Sequence, residues 1–192
     1  MKILILTNHS YMLYQFRREL IGELLKDHEV ILSMPFVGHE DDFKKMGCRC
    51  INTEVDRRGI NPLKDFKLLS CYYNLIKKES PHMVITFSIK PNIYGGFVCS
   101  YLKVPYFANV QGLGTAFERK GLAEVVSLLY KIAFCKVKNV FFENSGDSEE
   151  FIKRKIIAKD KITVLNGAGV NLDYYQYSPY PKEEVIHFLF VG

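Results

Sequence analysis

Nowhere in this 192-residue chain do about 18 apolar residues follow one another without interruption, so no segment reads as a membrane-spanning helix. The first apolar run, residues 3–6, is far too short for the core of a signal peptide. No G-x-G-x-x-G turn follows that run and no ribose-binding acid stands where a dinucleotide would need one, which argues against a nicotinamide or flavin enzyme. The phosphate-binding P-loop pattern is missing too, and with it the usual nucleoside triphosphatase reading. Cysteine is scarce and odd in number: Cys48, Cys50, Cys71, Cys99 and Cys135 lack metal-ligand spacing, and each lies in an apolar or strand-like context. They are expected to be reduced, buried thiols in a cytosolic protein, and no metal is expected, although Cys48 and Cys50 alternate along one strand face. There is no internal repeat and no low-complexity segment.

What is present is ordinary globular material, 48% apolar and 24% charged, long enough to bury one core. "KILILT" reads as a buried strand, and the apolar residues Leu13, Phe16, Leu20, Ile21, Leu24 and Leu25 after it follow a helical spacing. The alternation continues with strands "HEVILSM", "CRCINT", "HMVITFS", "PYFANV", "KNVFFEN" and "KITVLNG", separated by helices over residues 39–46, 62–79, 91–102, 122–135 and 146–155. Strands that are apolar on both faces and alternate with helices predict an α/β fold, a parallel sheet of about seven strands with helices on both faces. The Tyr- and Pro-rich "NLDYYQYSPYPKEEV" reads as a strap, and "IHFLFVG" after it as one more buried strand, the start of a further unit.

In such a sheet the ligand lies beyond the carboxyl ends of the strands, so the residues just after each strand are the site candidates. Asn8 and His9 follow the first strand. Ser88, Lys90 and Asn92 follow the fourth, where a lysine suits a phosphate and a helix N-terminus adds N–H donors. Gly112, Leu113, Gly114 and Thr115 follow the fifth, where glycines free backbone N–H groups for an anion or a sugar hydroxyl. Glu143, Asn144 and Ser145 follow the sixth, and residues 166–169 the seventh; together they are expected to line one crevice. Structural alternatives stand beside them. Pro91-Asn92 also starts a helix, Gly112 and Gly114 also make a turn, and residues 144–147 also form an N-cap. Gly95 and Gly96 read as close helix–sheet packing, and His28, His39, His82 and His187 as structural or solvated.

The stretches "NPLKDFKLLSCYYNLIKKESPHMVITFSIKPNIYGG", "VPYFANVQGLGTAF", "VFFENSGDSEEFI" and "LNGAGVNLDYY" resemble the N-terminal half of retaining glycosyltransferases of family 4. The nearest likeness is to bacterial members that build capsular polysaccharide, O-antigen or N-glycan precursors on a polyprenyl diphosphate, and it covers essentially the whole chain. It implies one half of a GT-B architecture: a Rossmann-like acceptor domain over residues 1–170, a linker over 171–184 and the first strand of a donor domain at 185–192. It also implies a lipid-linked or oligosaccharide acceptor, no metal or other cofactor, and a nucleotide sugar, UDP-linked, as co-substrate held mainly by the second half. The catalytic residues stay unassigned. Two departures matter: Phe87 stands where many relatives have a histidine near the reacting sugar, and "TNHS" replaces a glycine pair after the first strand.

Basic residues number 26 against 21 acidic. Residues 119–138 hold Arg119, Lys120, Lys131, Lys136 and Lys138, which suits docking on an anionic membrane, the inner face of the plasma membrane, although an ordinary sheet-covering helix shows the same pattern. The basic residues are scattered among apolar ones without an aromatic stacking motif, so nucleic acid is not an expected partner. Two other classes remain: a non-catalytic binding subunit of a two-chain transferase, and half of a nucleotide-sugar epimerase, which should place carboxylates or histidines in the cleft.

Overall fold

A computed structural model describes residues 1–57, 61–179 and 188–190. Its seven strands are β1 (Lys2–Leu6), β2 (Glu29–Met34), β3 (Arg49–Asn52), β4 (Met83–Phe87), β5 (Tyr106–Val110), β6 (Asn139–Phe142) and β7 (Ile162–Val164). They form one sheet in the order β3-β2-β1-β4-β5-β6-β7, every pair parallel. The expected strand positions hold, with shorter ends: "KNVFFEN" stops at Phe142 and "KITVLNG" keeps only three strand residues.

Alternation along β1 creates two cores. Ile3 and Ile5 pack with Leu13 and Ile21 of α1 (Ser10–Leu25) and Phe43 of α2 (Glu40–Met46). Leu4 and Leu6 face the other way. They pack with α3 (Pro62–Glu79), α4 (Gly96–Leu102), α5 (Lys120–Ala133) and Phe151 of α6 (Ser145–Lys153). A period of two on the strand thus sends successive side chains to opposite helix layers, which a sheet covered on both faces requires.

Local chemistry sets the helix starts. Asn61 accepts hydrogen bonds from the backbone N–H groups of Leu63 and Lys64, Pro62 occupies the first turn, and α3 stops at Ser80 in the left-handed region. Pro91–Gly95 forms a π-helical turn that runs directly into α4. Gly95 and Gly96 serve packing: a Cβ on Gly95 would lie 2.8 Å from Leu6 Cδ1, and one on Gly96 3.0 Å from the Ala133 carbonyl oxygen. At both positions only glycine lets helix and neighbour approach so closely.

The thiols correct one expectation. Cys48 and Cys99 are buried, but Cys50 is partly exposed on the edge strand β3, Cys71 is exposed on α3, and Cys135 is exposed in the turn after α5. Among the described residues no cluster of histidine, cysteine or carboxylate side chains suits a metal, and no helix is long and apolar enough to cross a membrane. His28 and His82 meet the N-terminal segment, His82 Nδ1 accepting from the Lys2 N–H at 2.9 Å. His187, most of the expected strand at 185–192 and the end of the expected linker lie outside the described residues.

Candidate functional site

The sheet reverses its winding between β1 and β4, and the loops after β1, β4 and β5 surround a cavity of about 260 Å³ there. Asn8, Ser88, Lys90, Asn92, Gly112 and Gly114 line it, so six of the expected residues do converge. A smaller adjoining cavity of about 140 Å³ shares Asn8 and Ser88 and reaches down to Arg17 and Phe87. Ser88 turns the chain out of β4 with φ 76°, a left-handed conformation unusual for serine, of the kind that recurs at binding sites.

The lining is mostly neutral. Asn92 is fully buried: its side-chain oxygen accepts from Thr86 Oγ1 at 2.6 Å and its Nδ2 donates to the Asn109 carbonyl at 2.9 Å. A further side-chain hydrogen bond joins it to Tyr130, whose hydroxyl burial pushes well above the ordinary phenol value. Asn92 therefore acts as a brace between β4, β5 and α5, and its amide is already engaged. Lys90 is engaged too, its Nζ donating to Asp65 at 2.6 Å with both side chains mostly covered. Tyr94 bonds the same carboxylate, and burial followed by the Asp65 charge pushes its phenol up to about 12. Gly112 has open space where a Cβ would stand, whereas Gly114 takes φ +67° with a Cβ position 3.0 Å from Ile89 Cδ1.

The remaining expected residues do not line this cavity. His9 caps α1, its Nδ1 accepting from the Met12 N–H at 3.4 Å; burial, and after it the positive charge of Arg57, hold its imidazole below the ordinary value. A neutral ring with Nδ1 accepting carries its proton on Nε2. Glu143 forms an ion pair with Arg17, which is buried, donates from Nη1 to the Phe16 carbonyl at 2.9 Å and has its guanidinium 5.6 Å from the Phe87 ring centroid. Asn144 caps α6 through the Asp147 N–H at 2.8 Å. Leu113 packs against the core, and Thr115 begins a 3-10 turn ending at Glu118. Residues 166–169 lead away from this cavity, and Ala168 and Gly169 border a depression on the outside of α1.

Sequence reasoning missed Arg57 and Gln111, both of which line both cavities. Gln111 was findable, since it is the first residue after β5. Arg57 was not, because it reaches the crevice from the loop after β3, three strands away from β4.

A parallel sheet with its cavity at the winding reversal is common to many enzymes, and the family comparison narrows it. The family model described as "Glycosyl transferase 4-like" matches residues 2–144. The chain belongs to this glycosyl transferase 4-like family. No curated protein matches it. Among solved structures, a glycosyltransferase from Rickettsia africae aligns with a TM-score of 0.65 at 20% identity, over 91% of this chain and 45% of that one. The Anabaena protein HepE in complex with UDP-glucose aligns at 0.66 and 12% identity, over 93% and 47%. UDP-GlcNAc 2-epimerase from Methanocaldococcus jannaschii aligns at 0.58 and 18% identity, over 85% and 45%. The likeness is one of fold, a half of the GT-B type, and the chain spans less than half the length of these three proteins.

Proposed function

We propose that this chain is the acceptor-holding half of an enzyme that moves a hexosyl or N-acetylhexosaminyl group from a UDP-linked sugar to a hydroxyl of a lipid-linked or capsular-type glycan, with retention. The observation that carries the reading is the cavity at the β1/β4 winding reversal: Asn8, Ser88, Gln111 and the open backbone at Gly112 offer neutral hydrogen bonds to hydroxyls, and Arg57 offers one cation. Transfer needs an acceptor hydroxyl held at attack distance and a separate set of donors for the departing diphosphate. The first task suits this lining; the second falls to a donor-binding half, so the 192-residue chain by itself should transfer no sugar.

Half of a UDP-GlcNAc 2-epimerase is the competing reading, favoured by the fold likeness to such an enzyme. Removing and returning a proton calls for carboxylates or histidines in the cavity, and none is among its lining residues. The test is calorimetric titration of the chain with a synthetic polyprenyl-diphosphate sugar and with UDP-GlcNAc. Tighter binding of the lipid-linked sugar, weakened by Arg57→Gln, supports acceptor recognition. Preferential binding of UDP-GlcNAc would sink it.

A further inference from the structure

The net charge of the chain is not spread over the molecule. Residues 62–138 hold eleven basic and four acidic side chains, an excess of seven, while the rest holds fifteen basic and seventeen acidic. That span builds α3, α4 and α5 with the strands between them, and the three helices pack side by side over one sheet face. Three of its four acids are neutralised where they stand: Asp65 by Lys90, Glu79 by Arg49 and Glu124 by Arg154.

The same layer turns large apolar side chains outward. Leu63 and Phe66 of α3, Tyr101 of α4, and Val125, Leu128 and Ile132 of α5 are each more than half exposed. On α5 the spacing of three and four residues makes one continuous stripe. Between α3 and α4 runs an apolar groove of about 270 Å³ walled by Leu69, Tyr73, Phe97 and Tyr101. Lys67, Lys103, Lys131 and Lys138 are exposed on the same helices or just past their ends. A second apolar strip, on α1 at Tyr11, Met12, Phe16 and Leu20, lacks this charge: α1 carries two basic and two acidic residues, and Arg18 already lies 4.4 Å from the ring centroid of Tyr174 in the following strap.

From this coincidence of exposed apolar side chains and surplus cations on one layer, we propose that the α3–α4–α5 face docks on an anionic lipid bilayer. An anionic headgroup region over an apolar interior matches both properties at once. The inference concerns the helix layer and stands whichever sugar chemistry the crevice performs.

Co-sedimentation of the full chain with vesicles of phosphatidylglycerol and phosphatidylcholine, against phosphatidylcholine alone, tests it. Binding should need the anionic lipid and fade as salt rises. Lys103→Gln, Lys131→Gln and Lys138→Gln together should weaken it by about a hundredfold, and Val125→Ser with Leu128→Ser should abolish the remainder. Lys44→Gln with Lys45→Gln on α2, under the opposite sheet face, should change nothing, and an unaltered thermal melt confirms each variant is folded. Equal binding to neutral vesicles, or equal loss from the α2 variant, overturns the proposal. So does a stable dimer in sedimentation velocity that Leu128→Ser dissociates, because the face would then be occupied by a second copy.

Discussion

The Lys90 ammonium donates to the Asp65 carboxylate at 2.6 Å, tying the turn after β4 to the first turn of α3 on the crevice rim. Both side chains are largely covered, so neither charge is easily resolvated when the other is removed. Lys90→Met should therefore lower unfolding stability by about 1–2 kcal/mol, discounted for the residual solvent access. Urea denaturation of Lys90→Met, Asp65→Leu and the double variant checks it: the double should cost less than the two singles together. Strict additivity would mean the pair is decorative.

Gly95 and Gly112 make opposite predictions from the same substitution. Alanine at Gly95 meets Leu6 and Thr86 across the helix–sheet contact and should cost about 1–3 kcal/mol. Alanine at Gly112 meets nothing within 4 Å and should leave thermal stability unchanged while weakening acceptor binding. Gly114→Val combines a φ of +67° with a close Ile89 contact, so its loss of binding should come with a loss of stability.

His9 supplies the pH dependence. Its imidazole is held below the ordinary value, first by burial and then by Arg57, so folding favours the neutral ring. A depressed histidine contributes stability that is present above the unfolded-state value of about 6.5 and lost as pH falls through the lower folded-state value. Denaturation midpoints should fall between neutral pH and pH 5, less so in His9→Asn, where an N-cap is kept without a titrating ring. An NMR titration should find the His9 value raised by Arg57→Gln, since one lowering influence is removed. A His9 titration unmoved by that change would contradict the proximity of the two groups.

The buried Arg17 and its partner Glu143 join α1 to the end of β6 beneath the smaller cavity. Arg17→Met should destabilise the chain by about 2–4 kcal/mol by leaving a mostly covered carboxylate unpaired, while Glu143→Gln, which keeps an acceptor for the guanidinium, should cost less. Chemical denaturation of the two variants separates them, and equal costs would argue against a directed ion pair.

The sheet was legible in the residues because period-two alternation and apolar runs are local: Ile3 and Ile5 against Leu4 and Leu6 already declare two covered faces. Helix starts were legible for the same reason, as Asn61-Pro62 and Asn144 cap with atoms a few positions away. Strand ends also pointed to the convergence of Asn8, Ser88, Lys90, Asn92, Gly112 and Gly114, since a parallel sheet gathers its carboxyl ends on one edge.

What only the tertiary structure decided is which of those polar groups remain available. Lys90 is claimed by Asp65, Asn92 by Thr86 and Asn109, and Glu143 by Arg17, partners 6 to 126 positions away, while Arg57 enters the crevice from a loop no local pattern links to it. Backbone hydrogen bonding and side-chain alternation depend on near neighbours and so are written in short stretches of sequence. The pairing of charges and amides depends on which distant segments the sheet order brings together, and that is set by packing the whole chain at once.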